Sequence, residues 1–482
     1  MIRPIAFLCT AFAAACSAQT PGEPATQRAP ADLIVAGGLV VHPESEAPPS
    51  IEDIVVADGR IVAVGAGLAE RYAATATYDA SGRTIIPGLA DMHSHFGNGI
   101  LQGDADDTAQ VLGRHLYFGN TTILNLGSAQ AWPERIDALR ADMAAGDLAG
   151  PRLLAVGSLM TMPGSHPTTT IYSPELQKEI ADLLSRIRTE GPIDLAPLRA
   201  TTLVWSPKNI IAEVNRVGAW GADAIKITVE SGPDEFGDDH PQMPPDLIAA
   251  AAEAAKTYDI PVLCHISSLD EVEDCLANGA SGIVHALTPE ADDTLPDDLE
   301  QRMADARFTI IPTAAMFDGW GRYGDDPALL DQPALAGVLS ESEKGWFSAP
   351  QMREMFGGSP EWTVTLDRMA AHLKKFHDLG GVIVAGTDTG NPYRFAGFAL
   401  HEELAFYVEK VGLTPREALA TATLNAARLV GDEDKWGAIR EGLAADLLIL
   451  EKSPLDDINN TLTIADVVKG GRVVDRAALP LR

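Results

Sequence analysis

From Asp32 to about Tyr78, apolar residues come in short runs broken by turn signals rather than at helical spacing. Residues 33–36, 39–41, 54–57 and 61–64 read as short strands, punctuated by Gly37-Gly38, Pro48-Pro49 and Asp58-Gly59, the last a strong hairpin signal. The same pattern returns near the C-terminus, where residues 446–450, 464–469 and 472–474 read as strands and Gly470-Gly471 as a tight turn. Two β-rich ends flanking a long middle predict one small β-sandwich domain assembled from residues 32–83 and 437–482. The middle, residues 84–436, alternates apolar strand candidates with helical stretches, as βα repeats require. The candidates are 84–89, 121–126, 152–157, 224–229, 261–266, 282–286, 309–313 and 382–387. Eight such units predict an α/β fold, a (β/α)8 TIM-type barrel with its reactive side chains at the carboxyl ends of strands. Residues 318–368 form a long insertion before the last strand, and their aromatic side chains suit either a lid or an auxiliary layer of packed helices.

Composition narrows this picture modestly. With 482 residues and 46% hydrophobic content the chain can bury a large core. A formal charge of −32 repels phosphate backbones and anionic lipid, so nucleic acid is not expected as a partner. The first 18 residues have the form of an export signal: Arg3, an apolar stretch over residues 5–15, then small residues, a run too short to stay in a bilayer as a spanning helix. Ala13-Ala14-Ala15-Cys16 resembles a bacterial lipobox, which would tether the chain to the membrane through a lipidated Cys16; cleavage after Ala18 is the competing reading. Residues 19–31, rich in Pro, Thr, Ala and Gln, suit a flexible linker. The expected location is therefore the periplasm or the bacterial envelope. Beyond the leader only Cys264 and Cys275 remain, too few for a disulfide scaffold, and both read as small buried apolar residues.

Six residues carry the chemistry. His93 and His95 lie in Ile-Ile-Pro-Gly-Leu-Ala-Asp-Met-His-Ser-His (85–95), where a strand ends. Residues two apart on a strand face the same way, so the pair is a natural half-site for a transition metal. Lys226 sits inside the apolar strand Ala-Ile-Lys-Ile-Thr, an expensive place for a cation unless it is neutralised, paired or chemically altered. His265 ends Pro-Val-Leu-Cys-His, His285 ends Gly-Ile-Val-His, and Asp388 ends Val-Ala-Gly-Thr-Asp. Taken singly, each histidine has an ordinary core role available, Lys226 a structural ion pair and Asp388 a helix cap. Their joint placement at strand ends, in the order His-x-His, Lys, His, His, Asp, is what these ordinary roles fail to explain.

On these residues, and on the tail Gly-Leu-Ala-Ala-Asp-Leu-Leu-Ile-Leu (442–450) with Val-Val-Lys-Gly-Gly-Arg-Val-Val (467–474), the chain resembles the amidohydrolase superfamily, in its imidazolonepropionase-like and prolidase-like branch. The resemblance implies a pair of divalent ions, Zn²⁺ by donor chemistry with Mn²⁺ or Co²⁺ as alternatives. His93, His95 and Asp388 would hold the more buried ion, His265 and His285 the more exposed one, and Lys226 would bridge them as a carbamate formed with carbon dioxide. It further implies amide or peptide C–N hydrolysis by a metal-bridging hydroxide, with Asp388 as general base and then acid. The substrate class would be an N-acyl amino acid or an X-Pro-type dipeptide. Cyclic amides, lactones and organophosphates are alternatives, and an inactive surface binding protein is the non-enzymatic one; self-association stays open. His166, in Met-Pro-Gly-Ser-His-Pro, is a candidate donor to the substrate carbonyl or an ordinary turn histidine. Tyr393 and Arg394, in Gly-Asn-Pro-Tyr-Arg-Phe, are candidate substrate contacts, Arg394 as a carboxylate clamp or as partner of an acidic side chain. The acidic loop 231–240 lacks the tyrosine of the prolidase-like pattern, which puts dipeptidase specificity in doubt.

Overall fold

The computed structural model describes residues 28–96, 108–128, 131–166, 201–230, 232–233, 239–286, 296, 298–356 and 360–482. The leader, Cys16, most of the linker and most of the acidic loop lie outside the described residues. Among the described residues no helix is long and apolar enough to cross a membrane.

Both chain ends build one eight-stranded sheet. Its N-terminal members are β1 (Ala29–Val40), β2 (Ser50–Ala57), β3 (Arg60–Gly65), β4 (Tyr72–Asp79) and β5 (Thr84–Pro87). The order across it is β20 (Arg472–Val473), β19 (Ile464–Lys469), β18 (Leu447–Leu450), β5, β1, β2, β3, with β4 also on β1. Asp58-Gly59 and Gly470-Gly471 turn the β2–β3 and β19–β20 hairpins at positive φ, as the sequence predicts. The sheet closes on itself where the Ile61 amide donates to Leu443 O and the Ala445 amide to Gly59 O, both at 2.9 Å. Val35, Ile54, Ile85, Leu447 and Val468 fill the interior so formed.

Residues 84–89, expected as the first barrel strand, divide between two sheets. Thr84–Pro87 pairs with β1 and β18, and the barrel begins only at β6 (Leu89–Ser94). Gly88 makes the handover: a Cβ there would lie 2.2 Å from Thr121 Oγ1, so no other residue lets the chain cross so close to the neighbouring strand. An unbroken apolar run conceals such a change of sheet, because both halves are buried.

The barrel strands are β6, β7 (Asn120–Asn125), β8 (Arg152–Ala155), β11 (Ile225–Thr228), β14 (Val262–His265), β15 (Gly282–Val284), β16 (Thr309–Ile311) and β17 (Val382–Ile383), all parallel where they pair. After β8 the chain kinks at Gly157 into β9 (Leu159–Thr161), which pairs with β11 and carries β10 (Thr201–Leu203) on its other side. An antiparallel pair of two-residue strands, β12 (Gly232–Pro233) and β13 (Asp239–His240), follows β11. The ring closes where the Met92 amide donates to Ala385 O at 3.0 Å and Ser94 bridges Thr389. The insertion resolves as an auxiliary layer: helices Ala314–Asp325, Glu341–Phe347 and Pro350–Phe356 bury Trp320, Tyr323, Phe347 and Phe356 together with Tyr393 and Phe395.

Candidate active site

The six chemistry-bearing residues of the sequence meet at the carboxyl ends of β6, β11, β14, β15 and β17. His93 stands within β6, and its neighbourhood is set by close backbone packing. A Cβ at Gly386 would lie 2.7 Å from His93 Cβ, so only glycine lets the segment after β17 pass beneath that ring. The Asp388 amide then donates to His93 O at 2.8 Å, which fixes the carboxylate opposite the His-x-His pair. Asp388 Oδ1 lies 2.9 Å from His95 Nε2 and 3.3 Å from His93 Nε2. Lys226 Nζ lies 3.2 Å from His93 Nε2. His285 Nε2 lies 3.0 Å from His265 Nδ1.

Two of the ring nitrogens facing away from this cluster are hydrogen-bonded, and a third faces a carboxylate. His95 Nδ1 bonds Gly127 O, His285 Nδ1 lies 2.8 Å from Thr313 Oγ1, and His265 Nε2 lies 3.3 Å from Glu230 Oε2. His93 Nδ1 is buried without a hydrogen bond. The inward set is thus His93 Nε2, His95 Nε2, Asp388, Lys226 Nζ, His265 Nδ1 and His285 Nε2: nitrogen and oxygen donors of the kind that bind Zn²⁺, Mn²⁺ or Co²⁺, with outward atoms held as metal-ligating imidazoles are held. The ligand atoms of His93, His95 and Asp388 lie within 4.8 Å of one another, and so do those of His166, Glu230 and His265. His285 and Asp388 have φ of 72° and 57°, a conformation costly for non-glycine residues and characteristic of functional sites.

The electrostatics follow from burial. Removal from water lowers Lys226 to about 8, against the pull of Asp388 and Glu230. Burial also pushes His93 and His285 well below the ordinary imidazole range. For Asp388, burial acts upward, but His93, His95 and His285 outweigh it and hold the carboxyl well below its ordinary value. Behind the site, Asp91 accepts from the His93 and Thr387 amides and from Thr387 Oγ1, tying β6 to the segment that carries Asp388.

His166 stands at the edge of the cluster, its ring stacked on His265 at 4.6 Å and its Nδ1 3.9 Å from Glu230. The substrate role considered for Tyr393 and Arg394 does not match their positions. Tyr393 is fully buried and donates to Phe347 O at 2.9 Å. The Arg394 side chain, at 0% exposure, donates to Ala315 O and Ala399 O and pairs with Glu402 at 3.2 Å. Both lock the loop after β17 onto the auxiliary helices, and with Arg394 the acidic-partner alternative holds. Cys264 and Cys275 are buried, as expected, but they are joined in a disulfide between β14 and the helix Leu269–Ala277.

Glu230 is the site residue that the sequence reading overlooked. Its signal was the two-residue alternation Lys226, Thr228, Glu230, which puts a carboxylate on the face that carries the lysine.

The amidohydrolase family model matches residues 84–474, which takes in the barrel and the returning β strands. This chain belongs to the amidohydrolase family. Ochratoxinase of Aspergillus niger is 23% identical to it over 469 residues, 91% of this chain and 86% of its own length. The ochratoxinase crystal structure superposes with a TM-score of 0.69 over 92% of this chain and 95% of that one, at 20% identity. A Xaa-Pro dipeptidase with bound methionine gives 0.67, covering 92% and 99% at 23% identity. A shorter stretch of 108 residues is 38% identical to imidazolonepropionase of Deinococcus deserti, over 22% of this chain and 27% of that protein. At these identities the superpositions show the fold; the family assignment and the six converging donors make this amidohydrolase a metal-dependent hydrolase of C–N bonds.

Proposed function

We propose that this amidohydrolase is exported, holds two divalent ions and cleaves the amide bond of an N-acyl amino acid or an X-Pro-type dipeptide. The observation that carries the reading is the convergence of His93, His95, Lys226, His265, His285 and Asp388, with two of the four outward ring nitrogens hydrogen-bonded and a third facing Glu230. His93, His95 and Asp388 would hold the inner ion, and His265 with His285 the outer one. Such a pair, when bound, supplies an acidified water and a Lewis acid for the scissile carbonyl. Zinc suits the sulfur-free donor set, with manganese or cobalt as alternatives.

Lys226, lowered to about 8, keeps a neutral fraction near neutral pH that can add to carbon dioxide and release a proton. The resulting carbamate would turn a buried cation into an anionic oxygen donor for the ions. Asp388 has Oδ1 against His93 and His95, while Oδ2 lies 3.9 Å from His285 Nδ1. At Oδ2 it takes the proton of the attacking water and returns it to the leaving nitrogen as the C–N bond breaks. His166, at the open edge, would donate to the substrate carbonyl oxygen. The substrate class is supported by the likeness to ochratoxinase and to a Xaa-Pro dipeptidase. Export, with Cys16 as a lipid tether, is supported by the leader and by the Cys264–Cys275 disulfide, which suits an oxidising compartment.

The test is elemental analysis of leader-free protein, purified without chelator and with bicarbonate, followed by a hydrolysis screen of N-acyl amino acids and X-Pro dipeptides. About two ions per chain and turnover of one of these classes are expected. A folded protein that takes up no metal even on reconstitution would sink the proposal.

A further inference from the structure

Glu230 has no role in the reading above, and its position asks for one. It follows β11 by two residues, is 2% exposed, and its Oε2 makes no hydrogen bond. A carboxylate oxygen so placed is costly unless a cation or a donor is aimed at it. Two imidazoles face that oxygen, His265 Nε2 at 3.3 Å and His166 Nδ1 at 3.9 Å, on rings stacked 9° from parallel.

The two nitrogens of His265 point to opposite neighbours. Nδ1 faces His285 Nε2 at 3.0 Å, and Nε2 faces Glu230. A neutral imidazole carries one N–H and one lone pair, so the atom given the proton decides the atom left to ligate. We infer that Glu230 is the positioning residue of the outer metal subsite: standing 3.3 Å from His265 Nε2, its charge favours the proton on that nitrogen and so presents Nδ1 toward His285, and the same carboxylate faces the stacked His166 at the rim. The inference rests on the binuclear reading. It also explains the one asymmetry in the ring contacts. His95 and His285 turn Nδ1 to an oxygen and Nε2 inward, whereas His265 is reversed, and it is the ring with a carboxylate on its Nε2 side. Outer partners of this kind typically change metal affinity by about 10- to 100-fold when removed.

The test compares wild type with Glu230→Gln, which keeps an acceptor but not the charge, and Glu230→Leu, which keeps volume but neither. Circular dichroism checks folding, chelator titration reads the affinity of each ion, and the visible spectrum of cobalt-loaded protein reads the ligand set. The expected result is two ions in wild type, with the weaker-held ion loosened by about 10- to 100-fold in Glu230→Leu and less in Glu230→Gln. The tighter ion should be unmoved and the cobalt bands of Glu230→Gln unchanged at saturation. Unchanged affinities in both variants overturn the role of Glu230. Weakening with shifted cobalt bands in Glu230→Gln also overturns it, because Glu230 is then itself a ligand. A wild type that takes up fewer than two ions overturns the binuclear reading, a failure visible before any variant is made.

Discussion

The inner and outer halves of this site are built by different means. The inner half, His93, His95 and Asp388, is held by main chain: Asp388 N on His93 O, His95 N on Thr389 O, and Asp91 receiving amides from both segments. The outer half, His166, Glu230, His265 and His285, has backbone ties of its own, Val229 N on His265 O and His285 N on Ile311 O, but its rings face side chains, Glu230 and Thr313, where His95 is set by the Gly127 carbonyl, and the covalent Cys264–Cys275 link adjoins His265. Main-chain ladders fix two segments against each other with little freedom, whereas side-chain contacts leave rotamers to be decided by the next neighbour out. The inner half should therefore behave as a preformed site, and the outer half as one whose geometry depends on partners such as Glu230 and Thr313.

The largest effect should come from Asp388, proposed above as the base and acid, inside the rigid half. Asp388→Asn keeps the shape and the backbone contacts but removes the proposed proton acceptor, so turnover should fall by about 10²- to 10⁴-fold with fold and most of the metal retained. Steady-state kinetics beside elemental analysis would decide this, and an active variant would move the base elsewhere. Next comes the dependence of one half on the other. His93→Ala removes the ring that contacts both Asp388 and Lys226, so metal content should drop from about two ions to about none. His285→Ala removes a ring whose hydrogen bonds go to His265 and Thr313 and which reaches Asp388 only at 3.9 Å, and it should leave about one. Equal losses in the two variants would mean that the halves are not separable.

The same contrast governs what the sequence made legible. His93, His95, Lys226, His265, His285 and Asp388 are read from strand ends because each is a polar residue closing an apolar run, and strand ends of a parallel barrel converge. The hairpins at Asp58-Gly59 and Gly470-Gly471 are equally local. What escaped depends on three-dimensional neighbours. The change of sheet at Gly88 is invisible within an unbroken apolar stretch. Arg394 in a polar loop has the same sequence signature whether it faces a substrate or Glu402. The Cys264–Cys275 disulfide needs the helix after β14 to bring residue 275 back under the strand. Glu230 was legible in principle by alternation, but it stands where the strand gives way to an acidic loop, and there one more carboxylate carries little signal.

The smallest expected effect separates the halves by stability rather than by metal. Thr387 Oγ1 donates to Asp91 Oδ2 at 2.6 Å, wholly buried behind the inner half. Thr387→Val leaves that oxygen without its hydroxyl donor, and the desolvation of an unpaired acceptor costs about 1–3 kcal/mol. Thr313 Oγ1 plays the matching part for His285 Nδ1 in the outer half, at 2.8 Å. Thr313→Val unpairs a neutral ring nitrogen rather than a carboxylate oxygen, so the expected cost is nearer the ~0.5–1.5 kcal/mol net value of an ordinary hydrogen bond. Urea unfolding of the metal-free proteins measures both. If Thr387→Val proves the milder of the two, the inner half is not the prestructured one, and the division of labour between main chain and side chain at this site has to be redrawn.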